Sequence, residues 1–272
     1  FVFTTKILGT PHTNRIVTFI HLPLILYALR RLWDTRRWIF MVLLGGAVGS
    51  QIGSYHPQVA YYGLLMVGLY SLFRLIQGII EKEKWMRLTA TIGMIGVSLA
   101  IGYYMASIVL MPMQEYLPFS IRGAGTSSGV SGLSYDYATN WSFDWWSIFT
   151  FIIPGFSGFG DITYWGDMPF TTYPHYLGIP VVILAIIALF TKKDQGDYWF
   201  FVMVICFSLL ISMGKNFAIL SKLLLDWLPY FNKFREPSMI LILFSMSTAV
   251  LAAWGFQHVQ QLLKEQTKID WE

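Results

Sequence analysis

The chain has 272 residues, of which 55% are hydrophobic, 17% are aromatic and only 12% are charged, and its mean hydropathy is +0.54. A soluble domain carries about 25% charged residues, so this composition excludes a soluble globular enzyme, a disordered chain and a coiled coil. The net charge of +4 does not indicate nucleic-acid binding, because Lys and Arg are scattered between apolar segments rather than gathered on one face.

Seven apolar segments, taken in chain order over windows of about 19 residues, predict seven membrane-spanning helices. They cover residues 16–32, 38–52, 57–80, 88–111, 176–190, 198–213 and 239–259. The loops between them are alternately rich and poor in Lys and Arg. The basic loops contain Arg30, Arg31, Arg36, Arg37, Lys82, Lys84, Arg87, Lys192, Lys193, Lys264 and Lys268. Because basic loops stay in the cytoplasm, the N-terminal end is predicted outside and the C-terminal end inside.

The base-poor side carries the less usual sequence. Its long loop, residues 113–175, is acidic and rich in Gly, Ser, Tyr and Trp, and loops of that length are usually functional. Residues 217–228 place apolar side chains at helical spacing away from Lys222 and Asp226, which predicts an amphipathic helix at the membrane interface. The expected fold is an all-α polytopic membrane protein with about seven transmembrane helices, in which residues 1–272 form one transmembrane domain.

Polar residues next to two predicted spans are candidates for a site. His56 and Gln58 open the third span, where a helix N-terminus favours anions. His56 is therefore interpreted either as a phosphate or substrate contact or as a polar helix start near the headgroups. Glu115 follows the fourth span and is interpreted as a general base or a hydroxyl-binding acceptor. The alternatives for Glu115 are an ion pair with Arg122 and a solvated loop.

Carboxylates among aromatic residues form a further candidate. Asp161 and Asp167 flank Tyr164 and Trp165. Such an arrangement is typical of carbohydrate sites, where rings stack on sugars and acids bind hydroxyls. The same composition fits an interfacial aromatic belt, and both interpretations stay open.

A basic segment precedes the seventh span. Arg235 and Lys233 are the strongest anion-binding candidates on the base-poor side, because a guanidinium binds phosphate in a bidentate manner. The alternatives are an interfacial anchor and a pair between Arg235 and Glu236. The sequence contains no P-loop, GxSxG, HExxH or dinucleotide-binding motif.

Five stretches of the chain, in order, resemble the bacterial YfhO-like membrane proteins, which are similar to polytopic glycosyltransferases of the GT-C type. The matching stretches are 9–15 (GTPHTNR), 56–62 (HPQVAYY), Glu115-Tyr116 with Ser120-Ile121-Arg122-Gly123, Tyr164-Trp165-Gly166 with Tyr176-Leu177-Gly178, and 234–239 (FREPSM). Each stretch is short, but their order and spacing cover nearly the whole chain.

The resemblance implies a GT-C-like fold with its site on the extracytoplasmic face of the bacterial cytoplasmic (inner) membrane. The implied reaction moves a sugar from a polyprenyl-phosphate carrier to a cell-envelope glycan or glycolipid. Arg235 and Lys233 would hold the phosphate, and Glu115 or Asp161 would deprotonate the acceptor hydroxyl. The other expected substrate or phosphate contacts are His12, Arg15, His56, Gln58, Arg122, Tyr164 and Trp165.

The resemblance also sets limits on the expected chemistry. Members of the family are usually longer, and the key acid of such enzymes usually lies in a first outer loop, so this chain is expected to be an internal fragment. No cofactor is indicated. A divalent metal ion assists some enzymes of this type, but the sequence shows no ligand cluster for one.

Two other functions stay open from the sequence. One is a transporter or flippase for a lipid or polar solute, which usually carries ionisable groups near mid-membrane and broken helices. The predicted spans are nearly free of charge, with Arg74 as the main exception. The other is a non-catalytic membrane scaffold subunit, which would tolerate substitution of His56, Glu115 and Arg235.

Overall fold

The computed structural model describes residues 13–123, 133–158, 162–171, 175–191 and 196–269. Throughout these ranges the chain forms helices and connecting loops, and no β-strand is present in them. The chain divides into two compact units, with the boundary between Ser134 and Tyr135. The expectation of an all-α protein is confirmed for the described residues.

The first unit contains four long helices. α1 spans Thr13–Thr35, α2 spans Trp38–Gly53, α3 spans Pro57–Ile80 and α4 spans Trp85–Tyr116, and a short 3-10 helix follows at Leu117–Phe119. Connections of two to four residues join consecutive helices, and connections that short make neighbouring helices antiparallel.

Two side-chain contacts fix the direction of these helices. Gln51, near the end of α2, donates from Nε2 to the carbonyl of Thr18 near the start of α1 (3.2 Å). Arg74, near the end of α3, donates to the carboxylate of Asp34 at the end of α1 (2.8 Å). The α1–α2 and α3–α4 turns therefore form one end of the unit, here called the basic end. The start of α1, the α2–α3 turn and the end of α4 form the opposite end.

Small residues let α2 and α4 pack closely in parallel. A Cβ placed on Gly45 would lie 2.8 Å from the carbonyl oxygen of Ser98, and one on Gly49 would lie 2.9 Å from the Cβ of Met105. Such distances are shorter than side chains tolerate, so only glycine fits at both positions. Glycines four residues apart commonly allow membrane helices to pack closely. Gly45 and Gly49 have this spacing.

The second unit contains more short helices. Its elements are α5 (Tyr135–Ala138), a 3-10 helix at Trp146–Phe151, α6 (Ile179–Phe190), α7 (Tyr198–Ser212), a 3-10 helix at Gly214–Phe217, α8 (Ala218–Trp227), 3-10 helices at Phe231–Lys233 and Pro237–Ile240, and α9 (Leu241–Ile269). α9 packs on both α6 and α7. Gly255 of α9 lies against the Leu184 carbonyl without room for a Cβ, and Trp254 contacts Phe201 edge-on at 5.5 Å.

A buried aromatic stack ties the long loop to α9. Phe143 stacks on Phe151 with ring centroids 5.4 Å apart, and Phe151 stacks on Phe244 at 4.5 Å. The amide of Phe143 also donates to the carbonyl of Ser212 at the end of α7 (2.8 Å). Burying large aromatic side chains is a major source of stability, so the loop residues around Phe143 are held firmly against α7 and α9.

The seven predicted spans all coincide with helices, but not all of these helices have the length of a span. Four are long and apolar enough to cross a membrane: 14–35, 57–80, 85–119 and 237–265. α7 qualifies only together with the segment Gly214–Trp227, which is bent from it by 110°. α2 and α6 are apolar but shorter. The structure is thus that of a helical membrane protein with four candidate spans among the described residues, and seven spans stays a prediction.

One boundary of the long loop differs from the prediction. α4 runs on to Tyr116, so Glu115 lies in the last turn of a helix rather than in the loop. The loop itself contains α5 and the 3-10 helix Trp146–Phe151. Further along the chain, α8 occupies the segment for which the sequence predicts an amphipathic helix.

Candidate functional site

His56 occupies the N-cap position of α3, at the opposite end of the first unit. Its Nδ1 accepts a hydrogen bond from the amide of Val59 (3.4 Å), and Pro57 follows as the first helical residue. A side chain that accepts from the third residue of a helix satisfies one of its unpaired amide groups. Half-buried His56 therefore has a structural role that follows directly from its place in the sequence.

Gln58 and Arg15 lie near His56 at the same end. Gln58 is 5% exposed and donates from Nε2 to the hydroxyl of Tyr62 (3.0 Å). Asn14, next to Arg15, donates from Nδ2 to the carbonyl of Tyr55 at 3.4 Å. This contact joins the start of α1 to the α2–α3 turn. The structure thus brings Arg15, His56 and Gln58 to one end of the first unit, while Gln58 faces inward.

Glu115 and Arg122 follow at the end of α4. Glu115 is exposed on the last helical turn. The amide of Arg122 donates to the hydroxyl of Ser120 (3.3 Å), and Arg122 is half-buried. No ion pair joins Glu115 to Arg122 among the described residues. An exposed carboxylate at a helix end is accessible to an acceptor hydroxyl, which the proposed role of a base requires.

Two of the sequence-predicted site residues, His12 and Asp161, lie outside the described residues. The described part of the Asp161 segment begins at residue 162.

Arg235 has the most developed surroundings of the predicted residues. Its Nη1 donates to the hydroxyl of Tyr137 at 2.6 Å. Its guanidinium carbon lies 5.4 Å from the ring centre of Tyr137 and 5.0 Å from that of Trp141. A cation within about 6 Å of an aromatic face is attracted to the ring quadrupole, by about 0.5–2 kcal/mol depending on burial. The half-buried guanidinium is therefore held in place by two aromatic rings.

The backbone on either side of Arg235 is unusual. Tyr230 and Glu236 both adopt left-handed conformations, with φ of 63° and 64°. Such conformations cost roughly 1–3 kcal/mol for residues other than glycine and recur at functional sites. Lys233 lies between them, at the end of a 3-10 helix, and is half-buried. The backbone of the segment that contains Arg235 is thus held in its conformation by the surrounding packing rather than by the intrinsic conformational preference of its residues.

The aromatic neighbours of Arg235 also join the core of the second unit. Trp141 packs on the cluster built around Phe143 and Phe151. Its carbonyl accepts a hydrogen bond from the amide of Ser238 (3.3 Å). Since Ser238 follows Arg235 by three residues, both the ring and the backbone of Trp141 position this segment.

Asp144 is a buried carboxylate with a structural role. It accepts hydrogen bonds from the amide of Ser147 (2.6 Å), the hydroxyl of Ser147 (3.0 Å) and the amide of Asp167 (3.3 Å). Donors around a carboxylate compensate for its loss of water. Asp144 therefore caps the 3-10 helix Trp146–Phe151 and fastens the loop that carries Asp167, whose own side chain is exposed.

Tyr164 and Trp165 have different surroundings although they are adjacent. Tyr164 packs on the core around Phe143, and its hydroxyl accepts from the amide of Met168 (3.2 Å). Burial raises the pKa of Tyr164, and the carboxylates of Asp144 and Asp167 raise it further. Trp165 is exposed and contacts Phe156 at 5.6 Å.

An aromatic row runs over the surface from Trp165. It continues through Phe156 to Phe149 (5.0 Å) and from Phe149 to Trp146 (6.4 Å). Trp146, Phe149 and Trp165 are exposed. Aromatic residues gather in this way at membrane–water boundaries, and an exposed ring also suits stacking on a sugar.

The nearby cleft is too small for a sugar phosphate. It has about 210 Å³ of empty space, part of it open to solvent, and its lining includes Ser147, Ser157, Tyr164 and His175. Pockets for small molecules usually measure about 300–1,000 Å³. In the described part of the chain no three His, Cys, Asp or Glu side chains come together as a metal site would require.

The contact between Arg235 and Tyr137 could not be found from the sequence. The two residues are 98 positions apart, and Tyr137 is one of 15 tyrosines without a motif of its own. The sequence gives Trp141 only as part of an aromatic-rich loop. The candidate site residues lie in both units. Those in the first unit are Arg15, His56, Gln58, Glu115 and Arg122, and those in the second are Tyr164, Trp165, Lys233 and Arg235.

No family model matches this chain at a significant level, and neither a curated protein nor a solved structure does.

Proposed function

We propose that this protein is a membrane glycosyltransferase that takes a sugar from a polyprenyl-phosphate carrier and transfers it to a cell-envelope glycan or glycolipid. The observation that carries the proposal is the position of Arg235. Its guanidinium is held by Tyr137 and Trp141, two residues before the candidate span 237–265 begins. A cation at the end of a span lies at the level of lipid phosphates, where the phosphate of a membrane-bound carrier would also lie.

The chemistry needs a cation at that point. The acceptor hydroxyl attacks the anomeric carbon, the bond from that carbon to the phosphate oxygen breaks, and the carrier phosphate leaves with the bonding electrons. Arg235, assisted by Lys233, stabilises the charge that develops on the phosphate. A carboxylate takes the proton of the hydroxyl, and Glu115 and Asp161 are the proposed bases.

The remaining predicted residues fill supporting roles in this proposal. Trp165 offers an exposed ring on which a sugar can stack, and Tyr164 fixes the loop that carries it. His12, Arg15, His56, Gln58 and Arg122 are proposed as further contacts to the donor or acceptor. For His56 the contact would be made from its N-cap position, at a helix N-terminus that favours anions.

The proposal includes a membrane arrangement. We place the protein in the bacterial inner membrane in a GT-C-like fold with seven spans, the N-terminal end outside and the C-terminal end in the cytoplasm. α8 then lies along the outer interface. It leaves α7 at 110°, and its exposed apolar residues Ile219, Leu223 and Trp227 recur every four positions on one face.

Turnover of a lipid-linked sugar tests the function. Full-length protein in liposomes would be incubated with a panel of radiolabelled undecaprenyl-phosphate hexoses, and the loss of label from the carrier would be followed. We expect Arg235→Ala to lower turnover by about 100- to 1,000-fold, the range for loss of one charge-stabilising donor. Arg235→Lys keeps the charge but not the planar fork, so part of the activity should return.

Lys215→Ala is the matched control, because Lys215 is an exposed cation of the same unit. Its backbone amide, not its side chain, makes the contact with Ser142 (2.8 Å). The control should retain the activity of the wild type. Equal turnover by wild type and Arg235→Ala would remove Arg235 from the phosphate site, and a wild type that consumes none of the donors would count against the glycosyltransferase.

One observation favours a second candidate function. α7 and α8 form a broken helix pair, with a bend of 110° at Met213. Discontinuous helices are frequent in transporters, where the helix ends face the substrate. A flippase for a lipid-linked sugar would move the carrier across the liposome membrane with the sugar still attached, whereas the transferase would release the sugar from it.

A further inference from the structure

The basic end of the first unit carries cations that form no ion pair with the described carboxylates of this unit. Asp34 is bound to Arg74 (2.8 Å) and lies 4.0 Å from Arg30. Glu83 is bound to Arg36 at 3.0 Å. Two of the three carboxylates in this region are therefore already paired. The third, Glu81, accepts a hydrogen bond from the side chain of Gln77 (3.0 Å).

Four exposed cations remain, and we call them the basic patch. They are Arg37, Lys82, Lys84 and Arg87. Among the described residues of the first unit none of the four forms an ion pair. The patch therefore carries four positive charges beside a single carboxylate that is not in an ion pair.

Two neighbouring turns present this patch. The Nη2 of Arg36 in the α1–α2 turn contacts Glu83 in the α3–α4 turn, and its Nε donates to the hydroxyl of Thr91 on α4 (3.1 Å). Arg37 and Lys84 are the next residues along the chain from Arg36 and Glu83. They therefore belong to the two turns that this contact joins, at the starts of α2 and α4, the two helices that pack in parallel through Gly45 and Gly49.

An exposed tryptophan follows each of these two cations. Trp38 comes directly after Arg37 and is 68% exposed, and Trp85 comes directly after Lys84 and is 66% exposed. Trp with a flanking cation is typical of the headgroup level of a membrane. α2 and α4 run in parallel from the same end, with Gly45 beside Ser98 and Gly49 beside Gly102. In this register Trp85 lies about 9 Å further out along the helix axis than Trp38. The patch therefore borders lipid and not only water.

We infer that the basic patch binds the headgroups of acidic phospholipids, with Trp38 against the upper part of the acyl chains and Trp85 at the level of the headgroups. The ligand class is a phosphodiester lipid that carries a net negative charge. Clusters of Lys and Arg beside membrane helices attract such lipids, and the neighbouring tryptophans select a ligand that has acyl chains. The site is independent of the sugar transfer proposed above, because none of its residues belongs to that site.

Lipid titration of the purified full chain tests the inference. Native mass spectrometry would compare dioleoyl-phosphatidylglycerol with dioleoyl-phosphatidylcholine, which has the same acyl chains and no net charge. We expect tighter binding of phosphatidylglycerol. A cation near a membrane surface contributes roughly a fivefold change in affinity, so Arg37→Gln/Lys84→Gln should weaken that binding by roughly 25-fold. Binding of phosphatidylcholine should not change.

The double substitution Lys215→Gln/Lys222→Gln is the matched control. It removes the same charge from exposed positions of the second unit and should leave the preference for phosphatidylglycerol intact. Circular dichroism would verify that both variants are folded. Equal affinity of the wild type for the two lipids would overturn the inference, and so would an equal loss in both variants. Displacement of phosphatidylglycerol by a single-stranded RNA oligonucleotide at lower concentration would point to a soluble polyanion instead.

Discussion

At the scale of single residues, the structure separates side chains that hold the loop from side chains that are available for chemistry. Asp144 and Tyr164 are held by hydrogen bonds within the second unit. Asp167 and Glu115 are exposed. All four are polar residues in or next to the same long loop, and the sequence alone does not distinguish them. Burial does, because a buried polar group has to find its partners within the protein.

Tyr164 gives a prediction for alkaline pH. Its pKa is raised mainly by burial, and therefore the folded state keeps the phenol proton at a pH where the unfolded state has lost it. The contribution of Tyr164 to stability is complete below its ordinary pKa of about 10 and is lost as the pH rises through the raised pKa. Stability should consequently fall above about pH 10. Tyr164→Phe should reduce the steepness of that fall.

The measurement is thermal unfolding in detergent between pH 8 and 11.5, for the wild type and Tyr164→Phe. Tyr230→Phe serves as the control because Tyr230 is 60% exposed. Other tyrosines contribute to the pH dependence of both proteins, so the difference between the curves is the quantity of interest. Parallel curves for the wild type and Tyr164→Phe would contradict the prediction.

At the scale of elements, helix contacts depend on a few glycines. Gly45 and Gly49 face α4, whereas Gly46, between them, has nothing within 4 Å of the place a Cβ would occupy. We expect Gly49→Val to destabilise the α2–α4 pair by about 1–3 kcal/mol, the usual cost of overpacking. Gly46→Ala should be neutral or slightly stabilising, because alanine favours the helix by about 1 kcal/mol. Thermal melting of the two variants in the same detergent would test this contrast, and equal melting temperatures would contradict it.

The depth of α8 is a second prediction at this scale. In a Cys206→Ser background, spin labels at positions 219, 223 and 227 should be more accessible to oxygen than to a water-soluble nickel complex, because apolar faces of interfacial helices lie about 5–10 Å below the headgroup boundary. Labels at 222 and 226 should show the reverse. The exposed fractions of Ile219 (81%) and Trp227 (83%) motivate this choice. Uniform accessibility at all five positions would mean that α8 does not lie in the interface.

The helices were largely predictable, but their contacts were not. Segments of apolar residues determine helices in a membrane because the backbone must satisfy its own hydrogen bonds there. For this reason all seven predicted segments coincide with helices, and the segment with the amphipathic pattern forms the helix α8. The pairing of Arg235 with Tyr137 depends on how the chain folds back over 98 positions. No local sequence pattern predicts a contact between residues so far apart. The contact between Arg235 and Tyr137, the best-defined part of the candidate site, is therefore found only from the structure.

At the scale of the whole molecule, two of the helices predicted to cross the membrane, α2 and α6, are shorter than the membrane core is thick. α2 has 16 residues and α6 has 12. A helix rises 1.5 Å per residue and a membrane core is about 30 Å thick, so α2 reaches about 24 Å and α6 about 18 Å. Short helices of this kind can still cross where the bilayer thins or flanking residues extend to the interface. The alternation of basic and base-poor loops along the chain favours crossing by both.

Cysteine labelling in intact bacteria tests this arrangement. In the Cys206→Ser background, Tyr55→Cys should react with a membrane-impermeant maleimide added outside. Lys84→Cys and Lys264→Cys should react only after the cells are permeabilised. Labelling at Tyr55 tests whether α2 crosses the membrane. If α2 does not cross, the α2–α3 turn that contains Tyr55 lies on the same side as the basic end. Lys264 tests α6 and the α7–α8 pair, because losing one crossing there would bring the end of α9 outside. Labelling of Lys264→Cys in intact cells together with protection of Lys84→Cys would contradict seven spans, because it requires an odd number of crossings between these two residues, where seven spans place four.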